Sequence, residues 1–188
     1  MNPTIILTTE RLILRTWKAS DAPMMTAISA DPLVMEHFPS TSTPVETQAL
    51  INRINQHHEA FGYALYAVET KSSHEFIGFV GLMRPTFTIP HFKPKHLPIV
   101  EIGWRLSSKH WGQGFATEAA TAVLNYAFTQ LNLHEIISFT ASTNVKSQRV
   151  MEKIGLKHNP KDDFDHPNLD ESSRLRRHVL YRLSVSSL

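Results

Sequence analysis

The 188-residue sequence contains no cysteine, which excludes disulfide bonds, thiolate metal sites and a cysteine nucleophile. Long apolar runs are missing too. The N-terminal stretch "MNPTIILTTERLILR" has an apolar run that is too short for the core of a signal peptide. No other stretch approaches the length of a membrane span. These absences favour a cytoplasmic protein that does not insert into membranes.

An excess of charge of one sign is missing as well. The 19 Lys and Arg residues and the 17 Asp and Glu residues leave a formal net charge of +2, which is too small to indicate nucleic acid as the main partner. The 11 histidines include no pair at the spacing of one helical turn, so we expect no metal site. The length and a hydrophobic fraction of 41% favour one domain over residues 1–188.

Six segments have the apolar pattern of β-strands. They are Arg11–Trp17, Tyr63–Glu69, Phe76–Met83, Ile99–Ser107, Glu135–Ala141 and His178–Val185. The second and third of these are joined by a short polar turn, which predicts a hairpin. Residues 158–177 are charged and are predicted to form a loop.

Four segments have helical periodicity or start signals. They are Asp21–Ala30, Pro44–Phe61, Thr117–Leu131 and Asn144–Ile154. Asp21 is predicted to cap the first helix, and Thr43 with Glu46 to form a capping box on the second. The predicted inward residues of the second helix are Leu50, Ile51, Ile54 and Phe61. The third helix carries an apolar stripe at Ala116, Ala119, Ala120, Val123, Leu124, Ala127, Phe128 and Leu131. The order of elements predicts a mixed sheet covered by helices.

Between two predicted strands lies Arg84–Pro98, a basic segment with four prolines that preclude a regular element. Two interpretations stay open. The segment is either a solvated loop or a flap on the substrate side, since long loops in compact domains are often functional.

The stretch His110–Ala120 reads "HWGQGFATEAA" and places two glycines directly before a helix. Such a turn suits a phosphate, because glycines leave backbone N–H groups free and the helix start carries partial positive charge. A P-loop is nearly excluded because no lysine follows Gly114. A dinucleotide fingerprint is disfavoured because Thr117 replaces its third glycine. A helix start without any ligand stays open on these residues alone.

The stretches "VEIGWRLSSKHWGQGFATEAATAVLNYAF", "ASTNVKSQRVMEKIGL" and "RRHVLYRLS", in this order, resemble the GNAT superfamily of acyl-CoA N-acetyltransferases. The opening "TERLILRTWKASDA" is similar to the branch with the RimJ/RimL-type ribosomal-protein N-acetyltransferases. The resemblance covers nearly the whole chain. It implies an α/β (α+β type) GNAT fold, with a single mixed, splayed sheet of about seven strands flanked by about four helices.

In this superfamily a turn of the pattern [QR]-x-x-G-x-[GA] binds the diphosphate of coenzyme A. Here the turn reads Trp111-Gly112-Gln113-Gly114-Phe115-Ala116, and Trp111 departs from the pattern. The resemblance implies diphosphate binding by Gly112, Gln113, Gly114, Phe115, Ala116 and Thr117. Arg149 is the favoured additional phosphate contact.

The resemblance also implies that the pantetheine arm lies between two strands that splay apart, Glu101–Leu106 and Glu135–Thr140. A backbone N–H near Ile102, Gly103 and Trp104 would face the thioester carbonyl as an oxyanion donor. Asn144 matches the start of the branch's last helix and is a candidate ligand of the pantetheine amides, although it also suits a helix cap.

Two residues are candidates for proton transfer. Many members of the superfamily have a tyrosine as general acid where this sequence has Met151, so Ser147 becomes the candidate acid, with a small packed polar residue as the alternative. Glu101 is the candidate base, with a strand-edge ion pair as the alternative. An α-amino group with a pKa near 8 needs only a modest base.

The resulting hypothesis is an acetyl-CoA-dependent N-acetyltransferase, monomeric or homodimeric, that acetylates a primary amine by direct attack in a ternary complex. A protein N-terminal α-amino group is the preferred acceptor. The alternatives are a GNAT enzyme for a small amine or antibiotic, and a catalytically silent acyl-CoA-binding sensor.

Overall fold

The structure is a computed structural model that describes residues 3–185. The described chain falls into two compact units. The first comprises the residues up to Met83 together with Gly103–Val123, and the second comprises Arg84–Ile102 together with the residues from Leu124 onward. The single domain expected over residues 1–188 stays a prediction.

The described residues form nine strands and four α-helices. The strands are β1 (Ile5–Thr8), β2 (Leu12–Arg15), β3 (Leu65–Thr70), β4 (Phe76–Met83), β5 (Glu101–Leu106), β6 (Glu135–Ala141), β7 (Lys157–His158), β8 (Phe164–Asp165) and β9 (Arg177–Ser184). The helices are α1 (Asp21–Ala30), α2 (Pro44–Phe61), α3 (Phe115–Thr129) and α4 (Val145–Lys153). Two 3₁₀ turns span Ser108–His110 and Pro160–Asp162.

In the first unit, β1 to β4 form an antiparallel series in chain order. The hairpin of β3 and β4 is confirmed, with Ala67 opposite Phe79. The end of β5 joins this series, because the Ser107 N–H donates to the Ile77 carbonyl over 2.8 Å. Strand β1 was not predicted.

A buried ion network lies beside β2 in the first unit. The Arg15 guanidinium contacts Asp21 at 2.7 Å and Glu69 at 2.9 Å, and all three side chains are almost fully buried. Asp21 is thus the first residue of α1 and pairs with Arg15, so the prediction that it caps the helix is wrong. Burial raises the pKa of Glu69, but hydrogen bonds from His74 and Arg15 outweigh it and lower that pKa to about 2.

The second unit contains both parallel and antiparallel pairing, which confirms a mixed sheet. Strand β5 pairs in parallel with β6 at Glu101 and Ile137. Strand β6 pairs along its whole length with the antiparallel β9, which also pairs with β7 and β8. Strand β8 and His158 of β7 lie in the segment 158–177, so the prediction that this segment is loop is wrong at these positions.

Helix α2 begins with the predicted capping box, in which Thr43 and Glu46 exchange hydrogen bonds. It ends at Gly62, whose φ of 78° is left-handed. Ile51 and Ile54 are buried as predicted, whereas Phe61 is 41% exposed and not inward.

In α3 the centre of the predicted apolar stripe is confirmed, with buried Ala119, Ala120, Val123, Leu124 and Ala127.

The proline-rich segment Arg84–Pro98 contains no helix or strand, as predicted. Ile89 within it is 3% exposed and packs with Ile137, Phe164 and Leu180 in a core cluster of the second unit. The segment is therefore anchored to that core and is not solvated throughout.

Candidate active site

The predicted phosphate turn lies in the first unit, between a 3₁₀ turn and α3. Gly112 and Gly114 have φ values of 75° and 82°, a left-handed backbone that glycine adopts without strain. Both are exposed, and a Cβ built at Gly112 would meet no heavy atom within 4 Å. The backbone of this turn is therefore open to the approach of a ligand.

The start of α3 supplies hydrogen-bond donors directly after the turn. The first bond of the helical pattern runs from the Glu118 N–H to the Gly114 carbonyl, over 3.0 Å. The N–H groups of Phe115, Ala116 and Thr117 precede that bond and have no partner within the helix. Together with the partial positive charge of the helix start, these donors fit a diphosphate.

Trp111, which departs from the family pattern, has a structural contact of its own. Its indole N–H donates to the Leu106 carbonyl over 2.9 Å. This bond ties the turn to the end of β5. Tryptophan in place of the glutamine or arginine of the family pattern therefore leaves the backbone donors of the turn in place.

Arg11 and Glu118 hold the turn in place and were missed by sequence reasoning. Arg11 Nη1 donates to the Gln113 carbonyl over 2.9 Å, and Arg11 Nε donates to Glu118 over 2.6 Å. The guanidinium also lies 4.6 Å from the centre of the Phe115 ring. The available signal was the position of Arg11 in the opening stretch "TERLILR", which the family resemblance included.

Glu118 is charged in this arrangement. Burial raises its pKa, but hydrogen bonds from the Thr9 hydroxyl and from Arg11 outweigh that effect and lower it. The Arg11 cation is therefore balanced by a carboxylate and does not leave a free positive charge at the turn.

In the second unit, Asn144 caps α4 and contacts Ser147. Asn144 Oδ1 accepts from the Ser147 N–H over 3.2 Å, and Asn144 Nδ2 donates to Ser147 Oγ over 3.1 Å and to Thr140 Oγ1 over 3.0 Å. The helix-cap interpretation of Asn144 is confirmed. Ser147 Oγ accepts one bond, and no acceptor for its own proton is found among the described residues.

Glu101 lies at the start of β5 in the second unit. Its residue surface stays partly accessible, but protein atoms surround the carboxylate. This burial raises the pKa of Glu101 to about 8. No ion pair of Glu101 is found among residues 3–185, so the strand-edge ion-pair alternative has no support. Next to it, the Ile102 carbonyl accepts from Ser138 Oγ over 2.8 Å.

The last three predicted site residues are Gly103, Trp104 and Arg149. Gly103 and Trp104 are partly exposed residues of β5 in the first unit, and Arg149 is exposed on α4 in the second. The structure thus brings together the six residues of the predicted diphosphate turn, and separately Asn144 with Ser147. The roles of Gly103, Trp104 and Arg149 stay predictions.

An open groove of about 630 Å³ lies in the second unit along the proline-rich segment. Its lining residues are Arg84, Pro85, Phe87, Leu97, Pro98 and Ile99. The Phe87 ring also contacts His166, with 4.4 Å between ring centres. Burial lowers the pKa of His166 and of the neighbouring His178, so both rings favour the neutral form.

No cluster of three or more His, Cys, Asp or Glu side chains in the described part of the chain could hold a metal ion. None of the helices between residues 3 and 185 is both long enough and apolar enough to cross a membrane.

Comparison with known proteins places this geometry in context. Residues 11–157 match the model of the acetyltransferase (GNAT) domain. The uncharacterized N-acetyltransferase YnaD of Bacillus subtilis is 30% identical over 152 residues, which cover 80% of this chain and 82% of YnaD.

Two solved structures share the fold. The GNAT-family acetyltransferase of Bacillus anthracis superimposes with a TM-score of 0.76 at 25% identity, over 95% of this chain and 97% of that one. RimL, the ribosomal L7/L12 α-N-protein acetyltransferase in complex with coenzyme A, superimposes with a TM-score of 0.75 at 14% identity, over 98% and 100% of the two chains.

Proposed function

We propose an acceptor and a set of site residues for this chain, which belongs to the GNAT acetyltransferase family. The protein has the GNAT fold, with a mixed sheet and four helices among its described residues. It is an N-acetyltransferase, and acetyl-CoA is its co-substrate. The remaining questions are which residues bind the donor, how the amine is activated and which amine is acetylated.

The donor's diphosphate binds at the turn before α3. The observation that carries this assignment is the pair of exposed left-handed glycines directly before the unpaired N–H groups of the helix start. The binding residues are Gly112, Gln113, Gly114, Phe115, Ala116 and Thr117, with Arg149 as an additional phosphate contact. Ile102, Gly103, Trp104, Asn144 and Ser147 bind the pantetheine arm and the thioester.

Acetyl transfer proceeds by direct attack. The neutral amine nitrogen bonds to the thioester carbonyl carbon, the C–S bond breaks, and the amine proton passes to the Glu101 carboxylate directly or through water. Ser147 donates its hydroxyl proton to the departing sulfur, and the serine recovers a proton from solvent. The demand on Ser147 is light, because an ordinary thiol has a pKa of about 8.5.

The acceptor is a protein N-terminal α-amino group, as in the RimJ/RimL-type branch. The raised pKa of Glu101, about 8, supports this choice, since it matches an α-amino group with a pKa of about 8. A lysine amine with a pKa of about 10.4 is almost fully charged at neutral pH and requires a stronger base. The shared fold of RimL is consistent with the same branch.

The experiment is a screen for thiol release from acetyl-CoA with three acceptor groups: short peptides with free N-termini, small polyamines and aminoglycosides. Mass spectrometry of each product identifies the acetylated nitrogen. Peptides whose α-amine is already acetylated, with a lysine retained, are the matched control for side-chain acetylation. We expect turnover with free N-termini and none with the blocked peptides.

Three other results have separate meanings. Turnover with polyamines or aminoglycosides alone would assign a small-amine acceptor. Acetyl-CoA binding by calorimetry without turnover on any acceptor would support a silent sensor. A Gly114→Asp variant that binds acetyl-CoA as tightly as the native protein would refute the diphosphate site itself.

A further inference from the structure

Arg105 of β5 is a cation held between two aromatic rings in the first unit. Its guanidinium carbon lies 4.4 Å from the Phe38 ring centre and 5.5 Å from the Phe79 ring centre. Arg105 Nη1 donates to Ser29 Oγ over 3.2 Å. Phe38 is 38% exposed and Phe79 is 5% exposed, so the guanidinium lies between a surface ring and a core ring.

Within the described part of the chain, this guanidinium has no counter-charge. Among residues 3–185, no carboxylate lies within ion-pair distance of Arg105, and its Nε is enclosed without a hydrogen-bond partner. Burial and, to a smaller extent, the nearby positive charge of Arg53 together lower the pKa of Arg105 to about 10. The charge of Arg53 thus adds to the cost of the unpaired, largely buried charge of Arg105.

We propose that Arg105, with Arg53 beside it, binds a carboxylate group of the acceptor. A guanidinium donates two parallel hydrogen bonds to a carboxylate, and a site enclosed by Phe38 strengthens them by excluding water. Part of Arg105 remains accessible, so its outer N–H groups can reach a ligand. Ser29 orients the guanidinium through Nη1 and leaves the other donors for the anion.

The connection to the acceptor comes from the strand, and it rests on the proposed function. Arg105 and Gly103 are two residues apart on the part of β5 that belongs to the first unit, and residues at even spacing point to the same face of a strand. The proposed thioester contact and the anion site therefore belong to one strand of the first unit. An acceptor bound there presents its amine to the thioester and its carboxylate to Arg105. The enzyme then prefers N-termini followed by an acidic residue.

The test compares peptides that differ only in charge. Hexapeptides with a free α-amine and an amidated C-terminus carry Asp or Asn, or Glu or Gln, at each position from two to six. The measured quantity is the ratio of kcat/KM for the acid to that for its amide. We expect an acid preference of at least about tenfold at one or two positions, the effect of a hydrogen bond to a charged group.

Two variants locate the preference. Arg105→Met keeps the volume of the side chain and removes the charge, and Arg53→Gln removes the neighbouring charge from an exposed position. Both are expected to reduce the acid-to-amide ratio, Arg105→Met to near one. Arg177→Met is the matched control, because Arg177 is an exposed arginine in the other unit and is expected to leave the ratio unchanged.

The outcomes separate this inference from the proposed function. Efficient acetylation of the peptides with acid-to-amide ratios near one at every position overturns the anion site and leaves N-terminal acetylation intact. A higher KM for acetyl-CoA in Arg105→Met, with the peptide ratio unchanged, assigns Arg105 to the donor and overturns the proposal. If Arg105→Met fails to fold, an unchanged ratio in Arg53→Gln still refutes a shared anion site.

Discussion

Replacement of Glu101 by glutamine tests the proposed base through the pH dependence of the reaction. With a pKa of about 8, only about one tenth of Glu101 is ionised at pH 7, so kcat/KM is expected to rise with pH and level off above 8. An ordinary α-amine titrates in the same pH range, so its own titration would obscure the rise of kcat/KM that is due to Glu101. An acceptor amine with a pKa near 6 removes the overlap, because it is already neutral.

For the native enzyme and this weakly basic acceptor, we expect a rising limb in the pH profile of kcat/KM, with its midpoint near pH 8, caused by the ionisation of Glu101. In Glu101→Gln the limb disappears and the plateau falls by about 10²-fold, the lower range for general base catalysis. Glu59→Gln, on the exposed face of α2, is the matched control and keeps the native profile. A limb near pH 8 that persists in Glu101→Gln would refute the assignment of the base.

The same substitution has a signature in stability. The folded pKa of Glu101 lies above its ordinary value of 4.5, so the protonated carboxyl stabilises the fold fully below pH 4.5, and this contribution is lost as pH rises through about 8. The full difference between the ordinary pKa of 4.5 and the folded pKa of about 8 corresponds to roughly 5 kcal/mol in the free energy of unfolding. Partial solvent access reduces it to roughly 1–3 kcal/mol. Urea unfolding at pH 5 and pH 9 should show this decrease in the native protein and not in Glu101→Gln.

Three further predictions concern other parts of the molecule. Gly114→Asp should weaken acetyl-CoA binding by at least about tenfold in calorimetry, because its carboxylate repels the diphosphate, whereas Gly155→Asp, at a similar φ of 89°, should not. Glu69→Gln should lower the free energy of unfolding by about 3 kcal/mol at pH 7, since it leaves Arg15 underpaired. This difference should shrink as pH falls from 4.5 toward the folded pKa of about 2, where native Glu69 is also protonated. Ser147→Ala should lower kcat by less than about tenfold in thiol-release assays, because the thiolate leaves readily.

The long elements were predictable because their signals are local. The capping box of α2 and its terminal Gly62 lie within the segment that they delimit, and both were confirmed. The stripe of α3 repeats over four turns, which is enough for periodicity to be reliable. The strands β7 and β8 have two residues each, which is too short for periodicity, so neither was predicted as a strand.

Side-chain partners that are distant in sequence were not predictable. Asp21 was expected to cap its helix, but it pairs with buried Arg15, whose other carboxylate partner, Glu69, lies 54 residues further along the chain. Likewise, Arg11 and Glu118 are 107 residues apart, and no pattern within either segment connects them. In each case the decisive contact depends on tertiary packing.

The candidate site was predictable to the extent that it consists of backbone. The two glycines before α3 indicated the left-handed turn that the structure shows, whereas its diphosphate ligand was implied by the family resemblance and stays a prediction. The electrostatics of Glu101 could not be predicted in the same way. Its pKa depends on how many protein atoms surround the carboxylate, and that number follows from the folded structure.

The hydrogen bonds of Asn144 connect its two proposed roles. Both N–H donors of its amide are used within the protein, on Thr140 and Ser147, so for pantetheine it retains only acceptor capacity on Oδ1. The bond to Ser147 Oγ occupies a lone pair of that hydroxyl and leaves its proton to be donated elsewhere. The helix cap therefore favours the donor orientation that a general acid requires at Ser147. In the proposed mechanism Asn144 is thus a positioning residue, and an aspartate there would preserve the cap acceptor but remove the donor to the Ser147 hydroxyl.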